Sequence, residues 1–105
     1  MARHCAESRP VAAAELYLSP SSGTVTGELV WVDSEWKQDD SGPVFHETRI
    51  PIPAASALST AIAAREDAPV VILIFAPGTL RYGLLLEFLA PALRRNMILY
   101  VYPQP

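Results

Sequence analysis

The sequence predicts an α+β fold, a two-layer α/β sandwich with a mixed sheet of about five strands and two helices on one face. Three observations carry this. Val70-Val71-Ile72-Leu73-Ile74-Phe75 is an uninterrupted, largely β-branched run of strand length. Upstream of it, the segments 15–18, 24–32 and 44–50 alternate apolar and polar residues or gather Thr, Val and Trp. On either side of the apolar run lie stretches of strong helix formers with apolar residues at helical spacing. The order is therefore β-β-β-α-β-α-β. Strand–helix–strand units join parallel strands by right-handed crossovers, and the N-terminal strands pair as antiparallel hairpins.

Residues 1–12 read as a flexible tail and 13–105 as a single domain. Glu15 to Leu18 forms a short strand. Ser19-Pro20-Ser21-Ser22-Gly23 is a turn, in which Pro fixes φ and Gly admits positive φ. Thr24 to Val32 is the second strand, and Asp33 to Pro43 a polar, acidic loop. Val44 to Ile50 alternates Val44, His46, Thr48 and Ile50 against Phe45, Glu47 and Arg49, so one face is solvated. Its expected partner is the strand ending at Val32.

Pro51 and Pro53 suit a first helical turn, where a missing N–H costs nothing. The helix over Ala54–Glu66 lines up Leu58, Ala61, Ile62 and Arg65, and Asp67-Ala68-Pro69 ends it. Val70 to Phe75 holds no polar residue, which fits a central strand covered on both faces. There Phe75→Ala should cost about 3–5 kcal/mol. Ala76-Pro77-Gly78-Thr79 turns the chain, with Thr79 as N-cap. Leu80 to Arg95 is the second helix, kinked where Pro91 cannot donate to Glu87. Arg94 and Arg95 complement the dipole at its C-terminus, and Asn96 admits the left-handed conformation that ends helices. Met97 to Tyr102 is the last strand, stopped by Pro103-Gln104-Pro105.

Composition narrows the function classes. With 105 residues, half of them hydrophobic and 18% charged, a core needs no metal or disulfide staple, and the composition argues against intrinsic disorder. A net charge of −3 with eight scattered basic residues argues against nucleic-acid binding, which needs clustered cations. Cys5 is the one cysteine, so no intrachain disulfide forms. The longest apolar run, Ala68 to Pro77, is about half a membrane span, and Met1 to Pro10 lacks the apolar core of a signal peptide. The expectation is a soluble chain without membrane insertion, cytoplasmic by default.

The search for chemistry starts with the acidic loop. Asp33, Glu35, Asp39 and Asp40 offer oxygen ligands for calcium or magnesium, but their spacing departs from the twelve-residue calcium loop, and a solvated hairpin loop accounts for them. His46 beside Glu47 resembles an acid–base pair, yet adjacent strand residues point to opposite faces. His4 with Cys5 is too small a set for zinc. Gly78, Thr79, Arg81 and Tyr82 occupy the turn after the apolar strand, where α/β sheets place ligands. That turn has one Gly and no Lys, unlike a phosphate loop. No catalytic residue, cofactor site or metal site is assigned, and the chain is expected not to be an enzyme.

Two aromatic sets remain: Trp31 and Trp36 flank the acidic loop, while Tyr100 and Tyr102 share one face of the last strand. Trp and Tyr are enriched at interfaces. The apolar strand Met97–Tyr102 is suited to pairing with the same strand of a second copy. The expected function is a non-enzymatic, self-associating protein–protein interaction module, a homodimer. The alternative is a small-ligand or regulatory domain using the Gly78–Tyr82 turn.

From Pro51 onward the chain also resembles the periplasmic domain of the ExbD/TolR family of transport and cell-envelope energising proteins. The likeness lies in an Ala-rich helix, the Pro69-Val70-Val71-Ile72-Leu73-Ile74 strand, Tyr82-Gly83 opening an apolar helix, Glu87, and a short last strand ending near a proline. The resemblance implies a dimerising, non-enzymatic domain that contacts other envelope proteins. Family members carry an N-terminal transmembrane helix with a functional Asp, which this sequence does not match. They also usually carry an acidic residue after the central strand, where this chain has Phe75-Ala76-Pro77. The resemblance therefore implies no proton-coupled role.

Overall fold

A computed structural model describes residues 11–36, 42–65 and 68–104. Five strands and two helices follow in the expected order: β1 (Ala12–Ser21), β2 (Thr24–Trp36), β3 (Pro43–Ile52), α1 (Ala55–Ala63), β4 (Val70–Pro77), α2 (Tyr82–Leu89) and β5 (Met97–Gln104). The sheet order is β3-β2-β1-β4-β5. β1 and β2 pair antiparallel, as do β2 and β3, whereas β4 runs parallel to both β1 and β5. The sheet is mixed.

The strands are longer than local composition suggests. β1 and β2 continue to a two-residue turn at Ser22-Gly23, both with positive φ, so Ser19, Pro20 and Ser21 belong to the strand. Such primed turns match the right-handed twist of a hairpin. Asp33 to Trp36 likewise extend β2, paired with His46, Phe45, Val44 and Pro43 of β3. Cross-strand pairing overrides their polar character. On the core side of β2, Gly27 lets β1 come close: a Cβ there would sit 3.0 Å from the Tyr17 carbonyl oxygen.

One core lies between the sheet and the helices. Leu16, Leu29, Ile52, Leu58, Ile62, Ile72 and Ile74 are fully buried in it, with Leu85, Phe88 and Leu89 of α2. Both helices therefore cover the same face of the sheet. Pro51 lies inside β3, and α1 starts after Ala54 without a side-chain cap. The extended pairing of β3 as far as Ile52 takes up the residues expected for a first helical turn.

The second helix stops at Leu89, well short of Arg95. Pro91 sits in a 3-10 turn over Ala90–Ala92, because it has no N–H to continue the α-helical ladder. Arg81, not Thr79, occupies the N-cap position. Arg94 then reaches across to the end of α1. Its guanidinium donates to the carbonyl oxygens of Ile62 (3.4 Å), Arg65 (2.7 Å) and Ala68 (3.1 Å). The expected complement to a helix C-terminus is present, on the other helix. Asn96 is not left-handed; its amide donates to Ala68 O.

β4 is not central either. β1 is, and β4 lies between β1 and β5. Val70, Ile72, Ile74 and Ala76 are buried, but Val71, Leu73, Phe75 and Pro77 on the opposite face are only half-buried. No described element covers that face.

Candidate functional site: the uncovered face of the sheet

Strand register arranges the uncovered face as a grid of three rows running from β3 to β5. The first row is Glu47, Val32, Ala13, Val71 and Ile98. The second is Arg49, Val30, Glu15, Leu73 and Tyr100. The third is Pro51, Glu28, Tyr17, Phe75 and Tyr102. Charge gathers on β1, β2 and β3. The β4–β5 half carries six side chains, all apolar or aromatic.

The two halves differ in how their side chains are satisfied. Arg49 donates to Glu28 (2.8 Å) and to Glu47 (3.3 Å), and these carboxylates, Glu28 foremost, hold its pKa above the ordinary value. Val30, flanked by Arg49 and Glu15 in its row, is buried. At the other end Ile98, Tyr100 and Tyr102 are 53%, 50% and 45% exposed. Tyr17, Phe75 and Tyr102 stack across three strands, with ring centroids 5.0 and 5.7 Å apart. Such offset stacking stabilises the ladder without removing its outer surface from water. Burial first, and the neighbouring Glu15 charge next, push the Tyr17 phenol above its usual pKa.

β5 is also a free edge. It has no charged residue and one proline, Pro103, whereas the opposite edge, β3, carries Pro43, Glu47, Arg49 and Pro51. Charges and prolines are what natural edge strands use against pairing. Asn96 and Gln104 accept hydrogen bonds from Val70 and Gly78 through their carbonyls, so by alternation the Val101 backbone points outward.

The sequence-predicted sites fare differently. Tyr100 and Tyr102 lie together on the uncovered face. Trp31 does not: it is 2% exposed on the core side, with the Arg65 guanidinium 4.5 Å from its ring centroid. Its place in the alternation of β2 puts it opposite Ala14 and under the helical layer, so it is corrected from interface to core. The Trp36 side chain lies outside the described residues, as do His4, Cys5, Asp39, Asp40 and the Glu35 side chain. Gly78, Thr79, Arg81 and Tyr82 are exposed at the end of β4. Surface cavities of about 290, 210 and 220 Å³ lie elsewhere, against Arg94, Phe88 and Arg65 respectively.

Asp33 accepts a forked pair of bonds from Arg65, at 2.9 and 3.2 Å, and that hydrogen bonding lowers its pKa despite partial desolvation. Its carboxylate is thereby engaged in an ion pair. Among the described residues no group of three or more His, Cys, Asp and Glu can hold a metal ion. No helix among them is long and apolar enough to cross a membrane.

The sequence places both helices on one face of the sheet, yet Val70–Phe75 reads as covered on both, so the uncovered face and its apolar half went unread. Two helices of nine and eight residues are too few to cover both faces of a five-stranded sheet. The apolar runs of β4 and β5 nevertheless suit covered strands. That mismatch was the available signal. No protein-family model matches this chain, and no curated protein matches it.

Proposed function

We propose that this chain is a non-enzymatic protein–protein interaction module that self-associates, with the tyrosines of β5 at its interface. One observation carries the reading: half of an uncovered sheet face is apolar and open to water, and it adjoins an edge strand without a charged residue. Contiguous apolar patches of this kind mark interaction sites on soluble domains. The resemblance of residues 51–105 to a dimerising periplasmic domain points the same way.

Absolute mass by light scattering behind size exclusion, at two well-separated concentrations, tests the reading. Self-association predicts a mass that rises from 11.4 kDa toward twice that value as concentration increases. A mass of 11.4 kDa at both concentrations contradicts it.

A further inference from the structure

Resting on the self-association reading, we infer that two copies stack face to face, with β4 over β4 and β5 of each copy over β1 of the other. Pairing through the β5 edges would satisfy backbone groups but leave Leu73, Phe75 and Tyr100 in water. Only stacking removes them.

Charge fixes where the stack can sit. Among the described residues the face carries Glu15, Glu28 and Glu47 against the single cation Arg49, so laying the charged half on itself would oppose like charges. A two-fold axis parallel to the strands and above β4 avoids this. It carries β2 and β3 of each copy beyond the partner's β5 edge, where Glu28, Glu47 and Arg49 stay solvated. The rows then become self-complementary, as an isologous interface requires. Ala13, the smallest residue of its row, meets Ile98 of the second copy. Tyr17 meets Tyr102, and Leu73 meets Leu73. Glu15, the one charge on the three overlapping strands, meets Tyr100, whose hydroxyl donates to its carboxylate. Every charge is thus either outside the overlap or hydrogen-bonded.

The overlap is small. Three strands about 4.8 Å apart and six residues of about 3.3 Å give roughly 300 Å² of projected face per copy. That lies below the range of stable specific interfaces, so the dimer is a weak one that dissociates on dilution.

Tyr100→Glu and its combination with Glu15→Lys test the register. Tyr100→Glu sets two carboxylates face to face twice per dimer, and the chain, folded by circular dichroism, drops from twice 11.4 kDa to 11.4 kDa. Adding Glu15→Lys restores opposite charges and returns the dimer, an outcome edge pairing does not produce, since β1 lies two strands from that edge. Val101→Pro, which removes an outward N–H, leaves the dimer intact. A dimer lost in Val101→Pro and kept in Tyr100→Glu overturns face stacking while self-association stands. Loss in Tyr100→Glu without recovery in the double variant overturns the register. A wild-type chain that is monomeric at every concentration refutes self-association itself and leaves the face to another protein.

Discussion

Ile74 and Phe75 are neighbours on β4 whose side chains point to opposite faces of the sheet, and replacing each by alanine should have different consequences. Ile74 is fully buried beneath the helices. Truncation leaves a cavity that the packed core closes only in part, at a cost of about 3–4 kcal/mol. Phe75 is half-buried and stacked between Tyr17 and Tyr102. Half of a phenylalanine's transfer free energy is about 1 kcal/mol. Loss of two stacking contacts adds about 1 kcal/mol more, giving roughly 2 kcal/mol for the isolated chain. Concentration separates the two further. At about ten times the dimer dissociation constant, association adds roughly 1.4 kcal/mol to wild-type stability, and only Phe75→Ala forfeits it. Urea denaturation at a dilute and a concentrated protein level reads both effects. A Phe75→Ala cost equal to that of Ile74→Ala in dilute solution would refute the claim that this face is uncovered in the monomer, and a cost independent of concentration would refute its burial by self-association.

Two further outcomes follow from the polar contacts. Arg94→Met keeps the apolar stem and deletes the donors to three carbonyls at and beyond the end of α1, so it should cost about 2 kcal/mol in urea denaturation, with Arg94→Lys recovering less than half. The Arg65 fork lowers the Asp33 pKa, so its contribution is present above about pH 4 and is lost as pH falls through the folded value. Because the Asp33 side chain is 45% exposed, that contribution stays below about 1 kcal/mol, and Asp33→Asn should flatten the acid limb of the stability profile by that amount. An unchanged acid limb would show that the ion pair contributes nothing.

Element type and order were legible because hydrophobic periodicity is a local signal. The Val44–Ile50 alternation, the helical spacing of Leu58, Ala61 and Ile62, and the apolar run from Val70 each declare themselves within a few residues. Element ends were not, because pairing with distant residues sets them. Asp33 and Ser34 join β2 only because β3 runs alongside, and Pro51 stays extended for the same reason. Arg94 shows the intermediate case: its chemistry marked a helix C-terminus, but which helix depended on the tertiary fold. Tyr100 and Tyr102 could be placed on one face from strand periodicity alone. Their exposure, and the burial of Trp31, rested on which face the helices chose. A run such as Val70–Phe75 looks the same whether its second cover comes from its own chain or from a partner.

The central claim, that the β4–β5 half of the uncovered face is an interface, is tested most directly by hydroxyl-radical footprinting at two concentrations. Tyr82, 71% exposed on α2, serves as the internal control. Concentrating the protein should protect Ile98, Tyr100 and Tyr102 several-fold while Tyr82 keeps its reactivity. Equal reactivity of all four residues at both concentrations would contradict the account.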